Sequence, residues 1–223
     1  MGNYNIGQFI LYMVALVFSL SLHEAAHAWM SNRFGDDLAR SMGRITLNPV
    51  SHVDPIGTLL FPAIGFFTGA PMLGWARPTP VNPLSWTNRR VANIWVSAAG
   101  VLGNLLIAVV AGLIIRILMA VGFLDGRLAL ISTDSLIAEG AVKLLFVFFT
   151  LNVALAVFNL IPIPPLDGSK ILGSILPPSF ESSFEALDRY GFILLLIALY
   201  LGVFSAIFKV VMPIAIGVLL LGA

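Results

Sequence analysis

The stretch IGQFILYMVALVFSLSLHEAAHAWMSNR, from Ile6 to Arg33, decides the class of fold. At 1.5 Å per residue it is long enough to cross a hydrocarbon core of about 30 Å with some tilt. Its polar residues fall in the second half: Ser19, Ser21, His23, Glu24 and His27. An ionisable side chain at the centre of a span costs roughly 2.5–3.5 kcal/mol on insertion scales. Three of them within five residues therefore need a common reason.

The whole chain has the same character. Of its 223 residues 59% are hydrophobic and 10% are charged, against about 25% charged in a soluble domain. Twelve basic and 11 acidic residues are too few to cover a water-soluble fold of this size. An integral membrane protein, embedded in a lipid bilayer, is expected. The net charge of +1 leaves no basic footprint for nucleic acid. The absence of cysteine excludes disulfides, thiolate metal ligands and a cysteine nucleophile. No cleavable signal peptide is expected, because the first apolar stretch lacks a basic n-region and carries ionisable residues.

Working outward from the first span, residues 43–83 hold Pro49, Pro55, Pro62, Pro71, Pro78, Pro80 and Pro83, seven of the 13 prolines. Such density breaks helices and central strands alike. Its apolar middle, Ile56 to Phe67, is too short for a full span and suits a re-entrant or interfacial segment. Arg44–Asn48 alternates like a short strand, and the prolines extend Ala76–Asn82. Further long helices are expected at about Val91–Phe123, with small residues for close packing at Ser97-Ala-Ala-Gly100 and Gly103-Asn104, and at about Ile137–Leu160. The latter ends at Pro162-Ile-Pro-Pro165, and a short segment from Leu166-Asp167-Gly168 runs to about Leu176. The last apolar stretch, Tyr190 to Ala223, is interrupted by Lys209 and Pro213 and reads as one bent helix or two short ones. The expected fold is an all-α polytopic membrane protein of about four to six transmembrane helices with a short re-entrant, β-containing proline-rich segment. The expected organisation is a single domain over 1–223, with its core at about 6–176 and an apolar scaffold at about 190–223.

Charge placement gives the orientation. Arg33, Arg40, Arg44, Arg77, Arg89 and Arg90 lie between the first two long helices. The next loop sets Arg127 against Asp125, Asp134 and Glu139, and the one after carries Lys170 and Arg189. The positive-inside rule then puts the N-terminus outside, with His23, His27 and Asp167 towards the cytoplasmic face of the cell membrane.

His23-Glu24-Ala25-Ala26-His27 carries the chemistry. Positions i and i+4 share a helix face, so both imidazoles can reach one cation. Glu24, beside the first of them, is placed to take a proton from a water the metal polarises. A catalytic zinc site usually has three protein ligands and one open position, and the third ligand is either His52 or Asp167. Asp167 follows a proline break, and broken backbone at membrane depth is tolerated only where it is buried in protein or lines a watery cavity. The same residue can instead cap the helix that follows. His52 can face the site or hold its own loop. Asn159 can donate to a developing oxyanion or join helices. A metal-binding transporter would also use intramembrane histidine and aspartate with broken helices, although it would not need Glu24.

HEAAHA inside a span and NLIPIPPLDGSK at the end of a later one, with GRITLNPVSHVDPIGT and SAAGVLGNLL between them, resemble the site-2 protease family of intramembrane zinc metalloproteases, especially its small bacterial members. The likeness covers about residues 15–175. It implies zinc (Zn2+) bound by His23, His27 and Asp167, Glu24 as general base, a transmembrane protein as substrate, and no PDZ or CBS domain. A catalytically silent member would share the motifs. Two departures stand out, Val101 where the family often has proline and Ser169 where it often has a second glycine. Neither is a proposed ligand.

Overall fold

A computed structural model describes residues 6–69, 74–126, 128–130, 135–180 and 187–221. Pro71, Arg127 and Asp134, used above in the proline and charge patterns, lie outside the described residues. The first span is helix α1, Ile6–Arg33, with the expected bounds. A single turn, α2 (Leu38–Ser41), follows, and a π-turn at Pro55–Leu60 runs into α3 (Phe61–Thr68). The second long helix, α4, is Arg89–Ala120. It starts where the Asn88 side chain accepts from the Val91 N–H. It stops three residues before the expected Phe123, because Gly122 takes a left-handed conformation (φ +71°) and its N–H caps the Met119 carbonyl. Helices α5 (Leu136–Leu160) and α6 (Asp167–Ile175) are separated by the proline break.

The C-terminal apolar stretch is two helices, α7 (Gly191–Tyr200) and α8 (Val203–Leu220). The division falls at Gly202 (φ +73°), whereas Pro213 lies inside α8. A left-handed residue ends a helix outright, while a proline can be absorbed where neighbouring groups take up the freed carbonyl. Among the described residues four helices, α1, α4, α5 and α8, are long and apolar enough to cross a membrane, and the chain is an all-α polytopic membrane protein.

The proline-rich segment forms a re-entrant hairpin along α1. Going in, α3 reaches Phe9, whose ring lies 4.5 Å from that of Phe66. Coming back, Gly74 faces Leu16, Ala76 packs with Leu16 and Leu20, the Thr79 N–H meets Glu24, and the Asn82 N–H meets Asp36. Phe9 precedes His23 by 14 residues, so the hairpin reaches roughly 21 Å along the helix beyond the histidines. Non-helical backbone at this depth must satisfy its donors. The N–H groups of Trp75, Arg77, Thr79 and Asn82 donate to Gly57 O, His52 O, Glu24 Oε2 and Asp36 Oδ2 respectively. Pro78 and Pro80 have no N–H to satisfy. Gly57 is required here, since any side chain would enter the indole of Trp75.

Arg44–Asn48 does not form the expected strand, and no strand occurs among the described residues. Side chains take the partners a ladder would supply. The Thr46 carbonyl accepts from His52, the Asn48 N–H donates to Thr46 Oγ1, and Asn48 caps the turn at Pro49–Ser51.

Candidate metal centre

The antiparallel contact of α1 with α4 positions the two histidines. His27 Nδ1 lies 2.6 Å from the Val96 carbonyl, which can only accept, so the proton sits on Nδ1. His23 Nδ1 lies 2.6 Å from Asn104 Oδ1, and a chain of amides fixes its tautomer. Asn152 Nδ2 donates to the Phe148 carbonyl at 2.8 Å and to Ser19 Oγ at 2.7 Å. Asn152 Oδ1 must then accept, and does so from Asn104 Nδ2 at 2.8 Å. That leaves Asn104 Oδ1 to accept from His23. Each imidazole therefore turns an unprotonated Nε2 inward, the orientation a ligating histidine receives from a partner on its other nitrogen.

The two Nε2 atoms lie 3.0 Å apart. Asp167 Oδ2 is 3.3 Å from the first and 3.2 Å from the second, and all three residues are buried. Among the described residues Asp167 Oδ2 has no hydrogen-bond partner. With both imidazoles neutral, the three acceptor atoms form a nearly equilateral triangle and repel one another unless a cation lies between. Tetrahedral zinc with bonds of about 2.0–2.1 Å sets its ligand atoms roughly 3.3–3.4 Å apart. The fit to a single divalent cation is close.

Two glycines make this approach possible. A Cβ on Gly100 of α4 would lie 2.5 Å from His27 Nε2 and 2.7 Å from His23 Nε2, so glycine keeps the cradle open. Gly168 lies against the Leu160 carbonyl, which allows α6 to begin against the end of α5. Asp167 is the first residue of α6, and the N-cap position before it is Leu166, which makes no side-chain capping hydrogen bond. Asp167 Oδ1 lies 3.5 Å from Lys170 Nζ. The proline loop that carries it is propped from the C-terminal side. Gly191 of α7 packs on Pro164, and Phe204 of α8 lies with its ring 4.9 Å from that of Phe158. Ile161, Leu166, Ala198 and Phe204 form one buried cluster.

Glu24 is half-buried, and the returning arm of the hairpin holds it. The Thr79 N–H donates to Glu24 Oε2 at 2.7 Å, and Thr79 Oγ1 donates to the Glu24 carbonyl at 2.9 Å. Sequence reasoning did not single out Thr79. The signal was present: in Pro78-Thr79-Pro80 it carries the only N–H. Asn104 and Asn152 were also missed as site residues, although a buried amide in each of two apolar spans is such a signal. Arg44 lies buried nearby and donates to the Ser51 carbonyl. Burial and the neighbouring Arg77 hold its guanidinium below the usual arginine range, partly offset by Glu24.

His52 and Asn159 are placed differently. His52 is buried with Nε2 2.9 Å from the Thr46 carbonyl, and its backbone carbonyl receives the Arg77 N–H. It is not among the three converging ligand residues. Asn159 donates to the Leu155 carbonyl of its own helix at 3.0 Å.

The chain is 38% identical over 185 residues to "Putative zinc metalloprotease YwhC" of Bacillus subtilis, covering 83% of this chain and 78% of the relative. It is 31% identical over 194 residues to "Putative zinc metalloprotease Rip2" of Mycolicibacterium smegmatis, covering 87% and 68% respectively. The Rip2 of Mycobacterium tuberculosis is 28% identical over 191 residues, covering 86% and 67%. No solved structure matches the chain. Residues 11–198, the span that holds both histidines, the hairpin and the proline break, match the profile of Peptidase family M50, and the chain belongs to that family of site-2 proteases.

Proposed function

We propose that this chain is an intramembrane zinc metalloendopeptidase that hydrolyses a peptide bond in or near a transmembrane segment of a substrate protein. The observation that carries this reading is the triangle of His23 Nε2, His27 Nε2 and Asp167 Oδ2, buried among spanning helices with Glu24 at its edge. Those three side chains hold the ion. Zinc bound there supplies Lewis-acid polarisation of the scissile carbonyl and of the attacking water. Glu24 takes the water's proton and delivers it to the departing amine. The Thr79 N–H keeps one carboxylate oxygen of Glu24 occupied, which leaves the other for this transfer. In this reading the second amide hydrogen of Asn159 donates to the oxyanion, whereas His52 serves to hold the loop. The apolar scaffold of α7 and α8 acts as the support of the Asp167 loop within one domain.

The substrate must be unwound, because a helix hides its carbonyls in its own hydrogen bonds. The returning hairpin arm supports strand addition beside the site. The arginines flanking the C-terminal end of α1 favour a cytoplasmic position for that end in the cell membrane.

Metal analysis of detergent-purified protein, paired with cleavage of a transmembrane reporter, tests the assignment. Wild type should hold one zinc and cleave. Glu24→Gln should keep the zinc and lose cleavage, and His23→Ala and Asp167→Ala should lose both. Cleavage by Glu24→Gln at the wild-type rate, or full zinc in the two alanine variants, would overturn it.

A further inference from the structure

Away from the metal centre, the outer side of the α1–α4 contact carries a groove of about 540 Å³. Leu22 and Trp29 of α1, Leu102 and Leu106 of α4, and Ile45 and Leu47 of the crossing segment form its walls. Gly103 lies at its floor, where a Cβ would meet Ala26 at 3.5 Å and Leu22 at 3.7 Å, so the two helices touch beneath it. The groove opens into a second, polar cavity of about 640 Å³ lined by Arg33, Arg40 and Asn32, with Trp29 and Ile45 common to both.

None of the ion pairs among the described residues includes Arg33 or Arg40. Arg33 lies over the Trp29 ring, 5.1 Å from its centroid. Of the nearby carboxylates, Asp36 is buried and engaged by Ser31, Leu38 and Asn82, and Asp37 accepts from Asn32. An apolar trough thus ends beside a tryptophan in two arginines that form no ion pair among the described residues. That is the complement of an amphiphile with an anionic head. A transmembrane helix 10–12 Å across and about 30 Å long fills roughly 2,400–3,400 Å³, several times the trough.

We propose that this composite groove is a binding site for an anionic phospholipid, with its phosphate between Arg33 and Arg40 and one acyl chain lying along the outer seam of α1 and α4 against Trp29. The site belongs to the leaflet at the C-terminal end of α1. It lies on the opposite side of the α1–α4 contact from Gly100 and so does not compete with the metal ligands. A basic residue near a membrane surface favours an anionic lipid about fivefold, and two together about 30-fold.

The test is quenching of tryptophan fluorescence in the full-length protein by lipids with brominated acyl chains, titrated in neutral detergent micelles. Brominated phosphatidylglycerol should quench at about 30-fold lower mole fraction than brominated phosphatidylcholine. Arg33→Gln and Arg40→Gln should each reduce that preference about fivefold, and the double variant should abolish it. Trp29→Phe should remove the saturable quenching, with circular dichroism reporting that each variant is folded. Arg89→Gln removes a charge from the same side of the membrane but outside the groove, and should change nothing. Inorganic phosphate alone should not displace the lipid. Equal quenching by the two lipids in wild type, a loss in Arg89→Gln as large as in Arg33→Gln, or displacement by free phosphate would overturn the proposal.

Discussion

Gly100→Ala sets two effects of one methyl group against each other. In an ordinary helix the change is favourable, since glycine costs roughly 0.5–1 kcal/mol relative to alanine in a helix interior. Here the new Cβ would stand 2.5 Å from His27 Nε2 and 2.6 Å from His23 Cε1. The rings must retreat by roughly 1 Å to restore van der Waals distance, taken as about 3.5 Å. They cannot swing freely, because each is held at Nδ1, by Val96 O and by Asn104 Oδ1. A metal site tolerates about 0.2 Å in its ligand distances. A loss of zinc affinity of at least 10- to 100-fold follows, the range seen when ligand orientation is disturbed, while the helix itself is no less stable. The assay is zinc competition against a chromophoric chelator in detergent, run beside thermal unfolding of the metal-free protein. Gly103→Ala is the matched control. It lies one turn along α4, and its Cβ would meet Ala26 at an ordinary 3.5 Å, so its zinc affinity should stay within about twofold of wild type, the change expected of a surface-like substitution. If Gly100→Ala binds zinc like wild type, or if Gly103→Ala loses as much, the cradle argument is wrong.

Other outcomes follow from the same geometry. Asn152→Leu, which touches no ligand, should weaken zinc binding by about 10-fold or more through Asn104 and His23; unchanged affinity in the same chelator competition would break the proposed amide chain. Thr79→Pro removes the N–H held by Glu24 and should lower kcat with zinc content intact, whereas Thr79→Val, which keeps that N–H, should retain most of it. Steady-state kinetics on a reporter substrate separates the two, and equal loss in both variants would refute the role of the backbone donor. Asp36→Ala leaves the buried Asn82 N–H and Ser31 hydroxyl without their acceptor and should destabilise the protein by about 2–5 kcal/mol. A midpoint shift in thermal unfolding with zinc stoichiometry unchanged would mark it as a tie between α1 and the hairpin.

The long helices were legible because their signal is redundant. Twenty-eight residues of α1 carry so few polar groups that no other reading survives, and its bounds came out unchanged. The re-entrant segment was legible from length, about a dozen apolar residues between prolines. The break at Gly202 was not, because Pro213 gave the louder local signal and a proline inside α8 is tolerated. The strand expected at Arg44–Asn48 failed for a different reason: alternation specifies a face, but not a partner to pair with. At the site, His23, Glu24 and His27 follow from one helical turn, so adjacency in sequence becomes adjacency in space. Bringing Asp167 to them depended on the proline break and on resemblance, since nothing in the sequence measures a gap between α1 and α6. Asn104, Asn152 and Thr79 needed the fold, because each acts through a contact dozens of residues away in sequence.

The amide chain that ends at the Phe148 carbonyl has a consequence for assembly. Which nitrogen of His23 carries hydrogen is decided by a backbone oxygen in α5, read through two side chains that belong to different helices. With α5 withdrawn, Asn104 is free to turn over and present its NH2 face, and the imidazole can then settle in the other tautomer, with its inward nitrogen blocked. The closed bundle offers the ion two lone pairs already turned inward, whereas a half-inserted chain must spend binding energy on shifting the His23 tautomer and so would hold zinc more weakly.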